Sequence, residues 1–182
     1  MTKFTHIALA FALAAGPSIA SAQTPPPPPP AEAKTQASAY VMAAGMSDLY
    51  EINSSQVALQ KSQNPAIKKY AQMLIDHHQK TTAATMAAAK KAGMTPSAPM
   101  LDAGATASIN ELQNASGSDF DRLYIGQQIP AHQAALDLHQ SYANGGDQPA
   151  LRASAKAAVP IVKRHLAAAQ KLQAGMMGGN KM

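Results

Sequence analysis

The chain has no cysteine. Thiol nucleophiles, thiolate zinc sites, iron–sulfur clusters, disulfide frameworks and a lipid-modified N-terminal cysteine are therefore excluded. Any chemistry falls to imidazole, carboxylate, thioether or hydroxyl groups, and the six histidines are the first place to look. His165 stands in the series Leu151, Ala155, Ala158, Val162, His165, Ala169, Leu172, whose alternating four-three spacing is that of an inward helix seam. His77 stands in a second such series, Ile67, Tyr70, Leu74, His77, Thr81, Ala84, Ala88. Glu51 shares a stripe with Ala44, Asp48, Ser55 and Ala58, small or polar residues that leave room for a carboxylate to point inward. With His132, these residues make a set of three imidazoles and one carboxylate, suited to a first-row metal such as zinc, iron or copper. The competing reading is four satisfied polar residues in a helical core.

The elements that must position this set are legible from punctuation. A first helix runs from about Thr35 to Gln63 and stops at Asn64-Pro65; a second starts at that proline and ends at Gly93, followed by Pro96 and Pro99. A shorter helix covers about Asp102 to Ala115. A third long one begins near Ser118 and ends at Asn144-Gly145-Gly146, and Asp147 is expected to cap a last helix from about Gln148 to Ala174. Apolar content of 46% with only 4% aromatic residues, carried by Ala, Leu, Met, Ile and Val in runs that lack the β-branched and aromatic enrichment of strands, argues against strands. The fold class expected is all-α: a ferritin-like antiparallel four-helix bundle with a short extra helix in the central crossover.

Heights within the hairpins test the donor set. Glu51 precedes Asn64 by 13 residues and His77 follows it by 13, so both stand at one level, roughly 20 Å from the turn at ~1.5 Å per residue. In the second hairpin His132 lies 12 residues before Asn144 and His165 lies 16 after Pro149, an offset of about one turn. Pro130 and Pro160, shortly before those histidines, bend helices and can absorb it. His78 lies near the same face and could replace His77, whereas His139 is expected toward the rim. Asp76 is read as an i,i+4 partner of Lys80, with orientation of a neighbouring imidazole as the alternative. Asp119 and Asp121 open the third helix, where carboxylates suit the positive end of the dipole.

The ends have other duties. Met1 to Ala22 reads as a secretory signal: Lys3 in the n-region, an apolar run from Ile7 to Ala15, and Ala20-Ser21-Ala22 before the cleavage point. The mature protein is thus expected in the periplasm, without a transmembrane segment. Residues 23–34 form a proline-rich linker, residues 35–174 the bundle, and residues 175–182 a Gly- and Met-rich disordered tail. Met176, Met177 and Met182 could hold Cu(I). Without Lys3 the 15 basic residues become 14 against 10 acidic ones, a small excess spread along the chain and no nucleic-acid footprint.

No Glu has a His three residues later, which disfavours a dinuclear ferroxidase, and there is no phosphate loop, nucleophile elbow or His-Glu-x-x-His. The positive motifs are of another kind. Tyr50-Glu51-Ile52, Ala71-Gln72-Met73 leading to Asp76-His77, Ser116-Gly117 before Phe120-Asp121-Arg122 and Tyr124, Ala131-His132, and Val159-Pro160 with Arg164-His165-Leu166 occur in an order that resembles the bacterial domain-of-unknown-function family DUF 4142. The resemblance spans about Gln36 to Leu172. It implies a ferritin-like fold and export in Gram-negative bacteria, and it places Glu51, Asp76, His77, Asp121, Tyr124, His132 and His165 at motif positions. The family is often labelled an outer-membrane protein, which a helical bundle contradicts. Pro130 and the doubled histidine at His78 depart from its pattern. The resemblance brings no established reaction, so an enzyme is disfavoured. The expected function is binding of one transition metal by Glu51, His77, His132 and His165 in metal handling or stress protection. A structural or protein-binding module in the periplasm is the alternative, and a metalloenzyme the third reading.

Overall fold

The computed structural model describes residues 25–178, so the expected leader and Met182 lie outside it. Among the described residues every regular element is helical: α1 Ala37–Lys61, α2 Pro65–Lys91, α3 Ala103–Asn114, α4 Gly117–Gly145 and α5 Pro149–Gly178, preceded by a 3-10 turn at Ala31–Lys34. The punctuation acts as read. Asn64 caps α2 by accepting from the Ala66 N–H at 2.9 Å, with Pro65 at the first helical position. Gly93 takes a φ of 78° just past α2, and the Met94 N–H turns back to the Ala89 carbonyl at 3.0 Å. Asp102 caps α3 through the Ala105 N–H at 2.7 Å.

Short turns make α1/α2 and α4/α5 hairpins, and α3 lies in the longer connection between them. Because α1 packs on α2 and α4, and α5 on α4 and α2, the four long helices close into a ring. Inside it are two apolar clusters. One, around Tyr50, Leu74, Phe120, Tyr124 and Ile125, lies toward the α1/α2 turn. The other, around Tyr40, Leu138, Tyr142 and Leu151, lies toward the α4/α5 turn. Between them every long helix turns a polar or aromatic-nitrogen residue inward: Asp48, Glu51, Ser54 and Ser55 from α1; His78, Thr81 and Thr85 from α2; Gln127, Gln128 and His132 from α4; His165 from α5. A layer of this kind costs desolvation and is tolerated only where its groups find partners.

Four features differ from the sequence reading. Asp147 does not serve as the expected cap; its Oδ1 accepts from the Tyr142 hydroxyl at 2.9 Å, and α5 begins two residues later at Pro149. α5 also runs past Ala174 to Gly178, since Met176 continues the apolar stripe and packs on the first cluster. The prolines are not a free spacer, because Pro27 lies against α3 so closely that a Cβ on Gly104 would stand 2.6 Å from its Cδ. The cationic side chains, expected to be scattered, are segregated: Lys68, Lys69, Lys80, Lys90 and Lys91 on α2 and Arg152, Lys156, Lys163, Arg164 and Lys171 on α5, with Asp76 as the one carboxylate of these two helices. No helix of the described residues is long and apolar enough to cross a membrane.

Candidate metal centre

The middle of the polar layer holds three buried imidazoles, His78, His132 and His165, with one ligand nitrogen of each lying within 4.8 Å of the others. Each arrives from a different helix, and each is fixed through its second nitrogen. On α4, His132 Nδ1 lies 2.8 Å from the Gln128 carbonyl one turn back. A carbonyl only accepts, so Nδ1 carries the proton and Nε2 presents a lone pair. On α2, His78 Nδ1 lies 2.7 Å from Asp48 Oδ1, while Asp48 Oδ2 accepts from Thr81 at 2.9 Å and Thr82 at 2.8 Å. Asp48 is thus saturated and holds the ring in place. On α5, His165 Nε2 lies 2.8 Å from His77 Nδ1, the two rings stacked with centroids 5.1 Å apart.

The remaining nitrogens are the informative ones. His78 Nε2, His132 Nε2 and His165 Nδ1 are buried without a hydrogen-bond partner among the described residues, and so is Glu51 Oε2. Glu51 itself lies beside the triad, its Oε1 3.6 Å from His132 Nδ1. An unpaired buried polar atom costs about 1–3 kcal/mol. The three imidazole nitrogens, on rings whose other nitrogen is well held, lie close enough together to share one ion, with the Glu51 carboxylate beside them on the Nδ1 side of His132. The pattern is that of metal-binding histidines, whose second nitrogen goes to a carboxylate, carbonyl or neighbouring group that fixes ring and tautomer.

Burial also sets the charge state. It drives the pKa of His132 down to about 3, with His78 adding to the effect, and that of His165 down to about 2, so both rings stay neutral and able to donate a lone pair. It pushes Glu51 up to about 8. For His78 burial acts downward, but the Asp48 carboxylate outweighs it and the pKa is raised. A cation at the centre would reverse the penalty on Glu51 and displace the proton from His78 Nε2, exchanging buried protons for metal charge.

Of the four residues expected as ligands, the structure brings Glu51, His132 and His165 together and leaves His77 one step outside. A single residue turns a helix by ~100°, and α2 packs against both α1 and α5. His78 therefore faces Asp48 on α1, whereas His77, half-buried, meets His165 on α5. The one-turn offset between His132 and His165 vanishes in space, their ring centroids being 5.3 Å apart. Tyr124 lies under the layer, its hydroxyl 2.8 Å from Ser55 Oγ. Asp121 stands away on the first turns of α4, with a buried Oδ1 that has no partner among the described residues. Asp76 is exposed and accepts from Gln72 at 2.9 Å in place of the expected Lys80. Asp119 pairs with Arg122 at the start of α4. His139 is buried and not at the rim, its Nδ1 3.0 Å from the Tyr40 hydroxyl. The residue that sequence reasoning passed over is Asp48. Its signal was present: it lies one turn before Glu51 on the same stripe, opposite the polar series His78, Thr81, Thr85.

Comparison with known proteins adds two findings. The family model described as "Domain of unknown function (DUF4142)" matches residues 22–172. Among solved structures, one described as "CopM in the Cu(II)-bound form" is similar over 77% of this chain and 97% of that chain, with a TM-score of 0.64 and 17% sequence identity. At that identity the likeness is one of fold. No curated protein matches the chain in sequence.

Proposed function

Because the chain belongs to the DUF4142 family and carries a buried, pre-oriented histidine cluster, we propose that it is an exported helical bundle that takes up one transition-metal ion for metal handling or protection of the cell envelope against metal stress. The ligands are His78 Nε2, His132 Nε2 and His165 Nδ1, with the Glu51 carboxylate as the fourth. Asp48, the Gln128 carbonyl and His77 are the positioning groups behind the three rings. The observation that carries this reading is the complementarity within each ring, one nitrogen held by the protein and the other buried without a partner.

Copper(II) is the first metal to try. Imidazole and carboxylate suit zinc, iron and copper alike, and the similar fold described as CopM was solved in a Cu(II)-bound form. Export rests on the leader read from Met1 to Ala22. Binding without turnover is the simpler reading, since three imidazoles and Glu51 fill the coordination of one ion inside a closed core.

The test is elemental mass spectrometry on the untagged mature protein, loaded separately with copper, zinc and iron and then dialysed. About one equivalent of one metal is expected, lost in His132→Gln and in His165→Gln. Equal metal content in wild type and both variants would overturn the ligand assignment. Persistent absence of bound metal under all three loadings would return the histidines to core architecture.

A further inference from the structure

A second concentration of metal-binding chemistry lies outside the polar layer. The first half of α1, the end of α2 and the connection from α2 to α3 enclose an open cavity of about 440 Å³, whose wall carries Met42, Met46, Met86, Met94 and Met100. These are five of the ten methionines of the chain. The connection is drawn in by a close approach of Pro99 to α1 at Gly45, where a Cβ would stand 3.0 Å from Pro99 Cβ.

Methionine usually fills gaps in cores; Met86 and Met94 do so in part, packing against the second cluster, but Met42 and Met100 do not. Met42 is 63% exposed and Met100 is 80% exposed; with Met177 they are the large hydrophobic side chains that the described residues leave to solvent. Among the described residues Glu32 is the only ionisable one in the lining, so the donors they offer are thioethers with a single carboxylate at the edge. A thioether is neutral, soft and carried on three rotatable bonds. It is a poor ligand for zinc or Cu(II) and a good one for Cu(I), and an apolar wall without countercharge accepts a monocation far more readily than a dication.

We propose that this cavity is a Cu(I)-binding site, formed by thioethers from Met42, Met46, Met86, Met94 and Met100 and separate from the histidine centre. It is separate from the tail methionines Met176, Met177 and Met182, the last of which lies outside the described residues. The site is independent of the reading above: it uses none of the same side chains and stands if the histidines hold nothing.

The experiment is an anaerobic titration of the full chain with Cu(I) against a chromophoric Cu(I) chelator, in a background where His78, His132 and His165 are each replaced by Gln. About one equivalent of Cu(I) should be retained in this background. It should be lost when Met42, Met46, Met94 and Met100 are also changed to Leu, which conserves volume and apolarity. Undiminished binding by the leucine variant, or no binding in the triple-Gln background, would overturn the proposal. Should that background fail to fold, the wild-type chain titrated with redox-inert Ag(I) gives the same answer through methionine methyl NMR. Shifts concentrated in the five cavity methyls support the site, and shifts spread equally to Met73 and Met176, or absent, defeat it.

Discussion

Buried imidazoles lie in two adjacent layers of one bundle, His139 alone in one and three together in the other, and the layers differ in what the protein leaves unpaired. His139 belongs to a closed cluster: its Nδ1 meets the Tyr40 hydroxyl at 3.0 Å, Tyr40 stacks on Tyr142 at 3.9 Å between centroids, and Tyr142 donates to Asp147. In the next layer His78, His132 and His165 are held just as firmly on one side, yet each keeps a buried nitrogen with no partner among the described residues, and Glu51 keeps an oxygen. Burial alone therefore does not distinguish a structural histidine from a candidate ligand. The distinction lies in where the second polar atom goes.

The largest expected effect separates the two layers through metal. At a free Cu(II) concentration of about 100 times Kd, binding stabilises the folded state by ~2.7 kcal/mol, roughly 5–10 °C in Tm for a chain of this length. His132→Gln and His165→Gln should abolish that rise, while His139→Gln should keep it. Loss of the rise in His139→Gln and its survival in His132→Gln would invert the comparison.

Acid gives the next largest effect in the metal-free protein. His132 at about 3, His165 at about 2 and His139 at about 4 all lie below the ordinary histidine value in the folded state. As pH falls below about 6.5 the unfolded chain takes up protons that the folded chain refuses, so stability present above that pH is lost progressively down to about 3, by on the order of a few kcal/mol. Glu51 acts with the opposite sign. Held at about 8, it contributes stability below its ordinary value near 4.5 that is lost as pH rises to about 8. Thermal melts from pH 8 to 4 should show Glu51→Gln gaining relative to wild type at the alkaline end. His139→Gln should retain most of the acid loss. Complete removal of that loss by His139→Gln would assign it to the closed cluster alone.

Much of this was legible in the chain, and the part that was not has a physical cause. Asn64-Pro65, Gly93 and Asp102 announce helix ends through local backbone chemistry, which does not depend on the rest of the fold. Glu51 and His132 are inward because their neighbours at helical spacing are small or apolar. The choice between His77 and His78 is of another kind. Both lie near the inward face of α2, and which one meets the centre depends on α2 being packed on two sides, a property of the assembled bundle. Asp48 was missed for a related reason: a carboxylate among small residues reads as space, until Thr81, Thr82 and His78 converge on it. The even spread of positive charge failed too, because a linear sequence does not show that α2 and α5 are neighbours.

The position of His77 supplies the third effect. If it orients His165 through the 2.8 Å contact without itself ligating, His77→Phe keeps a ring in the stack and removes the hydrogen bond. Loss of such a supporting group costs ~10–100-fold in metal affinity. Competition titration should show that weakening with unchanged stoichiometry; loss of the bound equivalent would make His77 a ligand and restore the sequence expectation.

The smallest effect tests the closed layer by itself. Tyr40→Phe preserves the ring stacked on Tyr142 and removes only the hydroxyl that faces His139. The imidazole is buried at 5% exposure, so its Nδ1 loses a partner that water does not replace. The cost is about 1–2 kcal/mol in metal-free stability, read from denaturant midpoints at unchanged m-value. Metal affinity should not move, because Tyr40 and His139 join α1 to α4 on the α4/α5-turn side of the polar layer. A Tyr40→Phe protein that folds with wild-type stability but binds metal less tightly would mean that the two layers are one network, with His139 as part of the centre. Stability lost at constant affinity would mean that the bundle uses the same side chain twice, once closed on a phenol to hold helices together and once left open toward a centre.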